Sequence, residues 1–205
     1  MWYTLAICIR RLEESRTSEV AHPMKRLKEI FNWLGSLVIA FLIVVLIGVF
    51  VFQPTKVIGH SMDPTLRDTQ RVYISKLLHT FSSTPNYDNI VIIDRRVDRK
   101  RTFLDDLLDT PILNLFNGGS KDREIWIKRV IGKPGDVLEF KDNKVFRNGT
   151  ALNEPYIKET MNYKSDEKFI VPADHIFVMG DNRNYSSDSR MIGFIPIDHV
   201  LGKKI

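Results

Sequence analysis

The sequence predicts a mostly β fold behind one N-terminal transmembrane helix, with an extracytoplasmic, β-rich and barrel-like domain. Three observations predict it. The run from Ile30 to Thr55 holds no charged residue. After it, short β-branched runs recur between turn signals. Beyond the apolar run no long amphipathic helical pattern appears, except where leucines alternate with aspartates between Phe103 and Phe116.

The core of the apolar run, Leu34 to Phe52, is 19 residues long. At ~1.5 Å per residue it just crosses a hydrocarbon layer of ~30 Å. A soluble helix usually carries a polar face, and this run has none. Residues 30–53 are therefore read as the transmembrane helix. Lys25, Arg26 and Lys28 precede it against Glu29 alone, and Arg10, Arg11 and Arg16 add to the same side. The positive-inside rule places residues 1–29 in the cytoplasm as a tail and residues 54–205 outside. The run exceeds a signal-peptide apolar region of about 7–15 residues, and no Ala-x-Ala site follows it, so it reads as a retained anchor. Met24 leads at once into Lys-Arg-Leu-Lys and the span, which also looks like a start and would make residues 1–23 an upstream extension.

The 205 residues suffice for one domain plus the anchor. The net charge of +5 arises from interleaved acids and bases, six against four before the span and 24 against 21 after it. That is no nucleic-acid footprint. The single cysteine, Cys8, lies in the tail, so the outer part has neither a disulfide nor a thiol nucleophile.

Strands are expected at Arg71–Ile74 and Ile90–Ile93. Glu124 to Ile131 alternates with period two, placing Trp126, Lys128 and Val130 on one face and Ile125, Ile127 and Arg129 on the other. A turn at Pro134-Gly135-Asp136 leads into a strand at Val137–Phe140. Lys144–Arg147 and Thr150–Leu152 flank Asn148-Gly149, a two-residue hairpin signal. Phe169–Val171 and His175–Met179 complete the set, and the spacing fits an open or barrel-like β domain. The stretch 94–122, charged first and then carrying Asn117-Gly118-Gly119-Ser120, reads as an insertion.

Three segments hold the chemistry. The first is Val57-Ile58-Gly59-His60-Ser61-Met62-Asp63-Pro64-Thr65, just past the span. A serine hydroxyl is nearly inert at neutral pH unless a base takes its proton. His60 is its neighbour, and neighbours in an extended segment face opposite ways. His79, His175 and His199 lack a local motif, and His22 lies before the span. A Ser-His-Asp triad is recognised by geometry and stays open at this level. The histidines show no metal-ligand spacing. Lys128 is the better base, mid-strand beside Ile127 and Val130 with Trp126 on its own face. An unperturbed lysine is neutral in only ~1 molecule in 2,500 at pH 7, whereas burial beside apolar groups favours the neutral amine. The competing reading is a solvated strand lysine beside Arg129. The third segment, Gly180-Asp181-Asn182-Arg183-Asn184-Tyr185-Ser186-Ser187-Asp188-Ser189-Arg190, is either a long surface turn or a support. In the second case Ser186 bonds a buried amine and the Asp188–Arg190 pair holds the turn.

Together the three segments resemble the type I signal peptidases, membrane-bound serine proteases of bacteria. Gly59-x-Ser61-Met62-x-Pro64-Thr65 is similar to the family's nucleophile box, Lys128-Arg129-Val130-Ile131-Gly132-x-Pro134-Gly135-Asp136 to its general-base box, and Gly180 to Arg190 to its third box. All three stand in the family's order behind an N-terminal anchor. The resemblance covers residues 30–205 with a gap at 94–122. It implies a Ser-Lys dyad with Ser61 as nucleophile and Lys128 as general base. It implies that Ser186 orients the Lys128 amine and that Asp188 and Arg190 support the third box. The oxyanion would rest on the Ser61 backbone N–H. Some members add a hydroxyl two residues earlier, where this chain has Gly59. Substrates would be the signal peptides of exported preproteins, cut after Ala-x-Ala-like sites, with Val57, Met62, Leu66 and Ile127 lining two shallow pockets. The resemblance calls for no cofactor and no metal, with the lipid bilayer as the other partner and a monomer as the expected state. Tyr87-Asp88-Asn89-Ile90-Val91-Ile92 matches the family's corresponding strand only loosely.

A penicillin-binding or β-lactamase-like acylase also uses serine and lysine, but it requires Ser-x-x-Lys on a helix and a Lys-Thr-Gly strand. The chain has Ser165-Asp166-Glu167-Lys168 in a polar stretch and no Lys-Thr-Gly. A non-enzymatic surface module would tolerate loss of Ser61 or Lys128, and both are present. Asn148-Gly149-Thr150 and Asn184-Tyr185-Ser186 match the glycosylation pattern, but read better as a hairpin turn and as part of the third segment.

Overall fold

The computed structural model describes residues 26–48, 51–77, 83–97, 99, 102, 105 and 125–205. The chain divides into two units, residues 1–45 and 46–205. Helix α1 runs from Arg26 to Gly48, 23 residues, with its apolar stretch wholly uncovered by protein. Phe31, Trp33 and Leu37 on it are all exposed. Among the described residues one helix is thus long and apolar enough to cross a membrane.

The expected span of 30–53 reaches too far. Strand β1 already occupies Phe52–Lys56. Apolar composition does not separate helix from strand. Pro54 cannot continue a helix, and at the sheet edge it leaves no ladder donor missing. The extended chain pairs instead with β2, Arg71–Ser75, in antiparallel register with Phe52 opposite Ser75.

The other strands are β3 Ile90–Asp94, β4 Ile125–Gly132, β5 Val137–Lys141, β6 Lys144–Arg147, β7 Thr150–Ala151, β8 Ser165–Ile170, β9 His175–Met179, β10 Ile195–Pro196 and β11 Val200–Lys204. They form two antiparallel sheets. The larger is an open half-barrel in the order β1-β2-β11-β3-β4-β9-β10, and the smaller has the order β7-β6-β5-β8. A mostly β fold is what the sequence led one to expect. The Asn148-Gly149 turn joins β6 to β7 with both residues at positive φ, as a two-residue hairpin requires. A second such turn, Asp142-Asn143 at φ 52 and 59, joins β5 to β6. The stretch 94–122 falls in the connection between β3 and β4, and most of it, with the Phe103–Phe116 pattern, lies outside the described residues.

The larger sheet carries apolar clusters on both faces. Val57, Met62, Leu66, Val72, Ile74, Ile92 and Leu201 form one, with Ile125 and Ile127 packed at its edge. Val91, Ile93, Val130, Ile176, Val178, Ile195 and Val200 form the other, with Trp126 against it. A third cluster unites both sheets around Ile131, Leu138, Phe140 and Phe177, where Phe140 meets Phe169 edge-on with ring centroids 5.4 Å apart.

Strand β11 was not legible in the sequence, yet it sits between β2 and β3. Its glycine explains the fit. A Cβ on Gly202 would lie 2.5 Å from the Ser75 carbonyl oxygen and 2.7 Å from Ile74 Cγ2. Gly202→Ala should therefore lower stability by about 1–3 kcal/mol, as overpacking against backbone does. Thermal or denaturant unfolding of the detergent-solubilised protein would measure it, and an unchanged midpoint would contradict this account.

Candidate active site

Ser61 sits in the loop between β1 and β2. The base of that loop is closed by Val57 N–H donating to Gln70 O at 2.8 Å and Thr69 N–H to Val57 O at 3.0 Å. Gly59, at φ +92, takes a conformation that suits glycine, and its N–H donates to Asp68 Oδ1 at 2.8 Å. That bond holds the Asp68 carboxyl below its ordinary pKa. Met62 and Leu66, 1% and 2% exposed, plug the loop into the apolar cluster beneath it.

Lys128 comes from β4. The strand has two different borders. Along Asp94 to Ile90 it pairs with β3 from Ile125 to Arg129, while β9 pairs with it only from Arg129 to Gly132. Residues Ile125 to Lys128 therefore have no strand partner on the β9 side among the described residues. Lys128 shares its face with Trp126, whose ring centroid lies 5.3 Å from Nζ. Its long flexible stem brings Nζ to Ser61 Oγ at 2.8 Å. Lys128 is only 3% exposed, so the solvated-lysine reading fails. Burial lowers its pKa from 10.5 to about 8, with Arg190 pushing the same way and Asp188 and Asp181 opposing. At pH 7 roughly one molecule in ten then carries a neutral amine, against ~1 in 2,500 for an ordinary lysine. The arrangement is a hydroxyl hydrogen-bonded to an amine that loses its proton readily.

None of the described histidines bonds Ser61. His60 points outward, its side chain 71% exposed, with Nδ1 3.2 Å from Asp63 Oδ2. His175 contacts the Ala173 carbonyl and His199 the Asp94 carbonyl. His22 and His79 lie outside the described residues.

The third segment leaves β9 and wraps the site. Asp188 is fully buried and caps helix α2, Ser189–Ile192, by accepting from Arg190 N–H. It also accepts from Gly180 N–H at 3.0 Å and from the Arg190 guanidinium at 2.8 Å on both oxygens. Ser186 differs from expectation. Its hydroxyl donates to the Ser187 carbonyl at 3.4 Å, and no Ser186–Lys128 hydrogen bond is present. The residue leaves a short 3-10 turn, Arg183–Tyr185, in extended conformation, and its side chain packs closely on Gly180. Ser186 also borders a cavity of about 350 Å³ with Tyr163, Arg190 and Met191.

Val57, Met62 and Leu66 are core, at most 3% exposed, and only Ile127 is partly open. The sequence reading gave no role to the Arg129–Asp181 pair, two bonds of 2.8 and 2.6 Å between buried side chains. Tyr156 stacks on the Arg129 guanidinium at 3.8 Å. Adjacency of Arg129 to Lys128 and of Asp181 to Gly180 was visible in the sequence, but pairing across 52 positions has no local signal.

Residues 30–205 match the family described as signal peptidase, peptidase S26. The chain belongs to this family. Among curated relatives, Signal peptidase I P of Bacillus subtilis subsp. natto is 35% identical over 188 residues, covering 87% of this chain and 88% of that one. Signal peptidase IB of Staphylococcus aureus (strain COL) is 29% identical over 193 residues, covering 86% and 87%. A crystal structure of a signal peptidase I from Enterococcus faecalis V583 matches with 25% identity and a TM-score of 0.40, over 59% of this chain and 97% of that one. This signal peptidase therefore acts on the signal peptides of preproteins, and its apolar helix α1 is consistent with membrane anchoring.

The buried amine of this peptidase has a measurable consequence. Below about pH 8 Lys128 is charged in folded and unfolded chains alike, and the folded state carries the whole burial cost. Between about 8 and 10.5 the unfolded chain holds a proton that the folded one has released, so this group's contribution to stability rises with pH. Wild type should gain on the order of 3 kcal/mol across that window relative to Lys128→Met. Parallel pH–stability profiles of the two proteins would refute the assignment.

Proposed function

We propose that this chain is a membrane-anchored serine endopeptidase that removes signal peptides after Ala-x-Ala-like sites with a Ser61–Lys128 dyad. The single observation that carries the reading is the 2.8 Å hydrogen bond between Lys128 Nζ and Ser61 Oγ, made by a lysine with a depressed pKa. In the proposed cycle Lys128 takes the Ser61 hydroxyl proton as Oγ attacks the scissile carbonyl carbon. The resulting oxyanion is held by the Ser61 backbone N–H. Collapse breaks the C–N bond, and the Lys128 ammonium gives its proton to the leaving amine. Water, deprotonated by the same amine, then cleaves the acyl-Ser61 ester and restores both groups.

The substrate would lie as an extended strand along the border of β4 that β9 leaves uncovered, from Ile125 to Lys128. Alternate side chains of such a strand face one way. Ile127 would form the open wall that reads small residues, over a floor of Val57, Met62 and Leu66. Asp188 and Arg190 would keep the third segment in place around Lys128, and Ser186, on the same segment, would help to orient the amine. The charge bias before the apolar run supports a cytoplasmic N-terminal tail over residues 1–29 and an extracytoplasmic catalytic domain.

Ser61→Ala and Lys128→Met should each reduce preprotein cleavage by at least about 10³-fold while leaving a folded protein. Full activity in Lys128→Met would sink the dyad. The pH profile of wild-type kcat/KM should rise through about pH 8 and level off above it, as expected when the neutral amine is the active form.

A further inference from the structure

We infer that Asn182 is a positioning residue for the oxyanion donor, an assignment that rests on the reading of Ser61 as nucleophile. Asn182 is 2% exposed and follows β9 directly by way of Gly180 and Asp181. Its backbone N–H donates to the Ser61 carbonyl at 3.0 Å. Its side-chain Nδ2 donates to the His60 carbonyl, also at 3.0 Å. One residue thus grips the carbonyls on both sides of the nucleophile's Cα.

The His60 carbonyl is the informative one. It belongs to the same planar peptide as the Ser61 N–H, and that peptide is trans. In a trans peptide C=O and N–H point in opposite directions. Holding His60 O against Asn182 therefore aims Ser61 N–H away from the third segment. A hydrogen bond to the carbonyl also polarises the amide and strengthens the N–H as a donor. With Gly59 supplying no hydroxyl, the direction of this N–H governs how well an oxyanion is held.

The residue type supports the assignment. Asn182 Oδ1 is buried with no hydrogen-bond partner among the described residues. A buried amide that leaves its acceptor unpaired is placed by its donor, and the donor here is on His60 O. The platform is stiff. Gly180 N–H is held by Asp188 at 3.0 Å, and Arg183 Nε donates to the Gly180 carbonyl at 3.1 Å. A Cβ on Gly180 would come within 2.5 Å of the Ser61 carbonyl oxygen, so backbone packs directly on backbone here.

The test uses the full chain in detergent, an Ala-x-Ala peptide substrate, and the variants Asn182→Ala and Asn182→Leu beside wild type and Ser61→Ala. Both Asn182 variants should lose about 10–100-fold in kcat with KM changed less than about threefold, the pattern of an interaction made only in the transition state. Affinity for a peptide boronic acid should fall in proportion to kcat/KM, while affinity for a non-cleavable peptide holds. The pH profile should keep its midpoint near 8, because Lys128 is untouched. Wild-type kcat in both variants, a loss confined to KM, a shifted pH midpoint, or failure of both variants to fold would each overturn the proposal. Cleavage by Ser61→Ala would instead overturn the nucleophile reading beneath it, whereas an inactive Ser61→Ala beside fully active Asn182 variants would overturn this inference alone.

Discussion

The site depends on the removal of one amine from water. Among the described residues no carboxylate lies within hydrogen-bonding distance of Lys128, and the polar side-chain partner of Nζ is Ser61 Oγ. Desolvation is the leading cause of its lowered pKa, and it outweighs the attraction of Asp188 and Asp181. Much of the surrounding architecture serves to keep that balance. Strand β4 holds the stem between Val91 and Trp126, the Ser61 loop covers the head group, and the third segment closes one side.

The nearby charges could upset this balance, and their pairing limits the effect. Asp188 sits beside Arg190, Asp181 beside Arg129, and Glu154 beside Arg183, each pair largely withdrawn from solvent. Breaking a buried pair typically costs about 3–5 kcal/mol, because one charge is stranded. Paired, the charges contribute opposing fields at Lys128, as the opposite effects of Asp188 and Arg190 illustrate. The same pairs fix the backbone of the third segment, which in turn grips the Ser61 loop through Asn182.

The larger sheet explains how a short loop can be so well placed. Its N-terminal strand β1 and its C-terminal strand β11 both pair with β2, and β11 also borders β3. The Ser61 loop therefore starts and ends on strands fixed from two ends of the chain. Its own side chains Met62 and Leu66 complete the core, so the apolar cluster that stabilises the fold also seats the nucleophile.

By itself the sequence determined whatever is encoded over short stretches. The uncharged run forecast an apolar helix, period-two alternation put Trp126 and Lys128 on one face, and Asn148-Gly149 marked its hairpin. It also set out the Ser61, Lys128 and third-segment boxes in order. Ser165-x-x-Lys168 proved to lie on strand β8, where residues three apart face opposite sides, which removes the acylase pattern. Only the tertiary structure decided the rest. The true start of β1 depends on pairing with β2, and the central place of β11 on a close approach at Gly202. The partner of Arg129, the burial of Lys128 and the grip of Asn182 on His60 all join positions far apart in the chain. A side chain's pKa and hydrogen-bond partners are properties of what surrounds it in space, and local sequence does not carry that information.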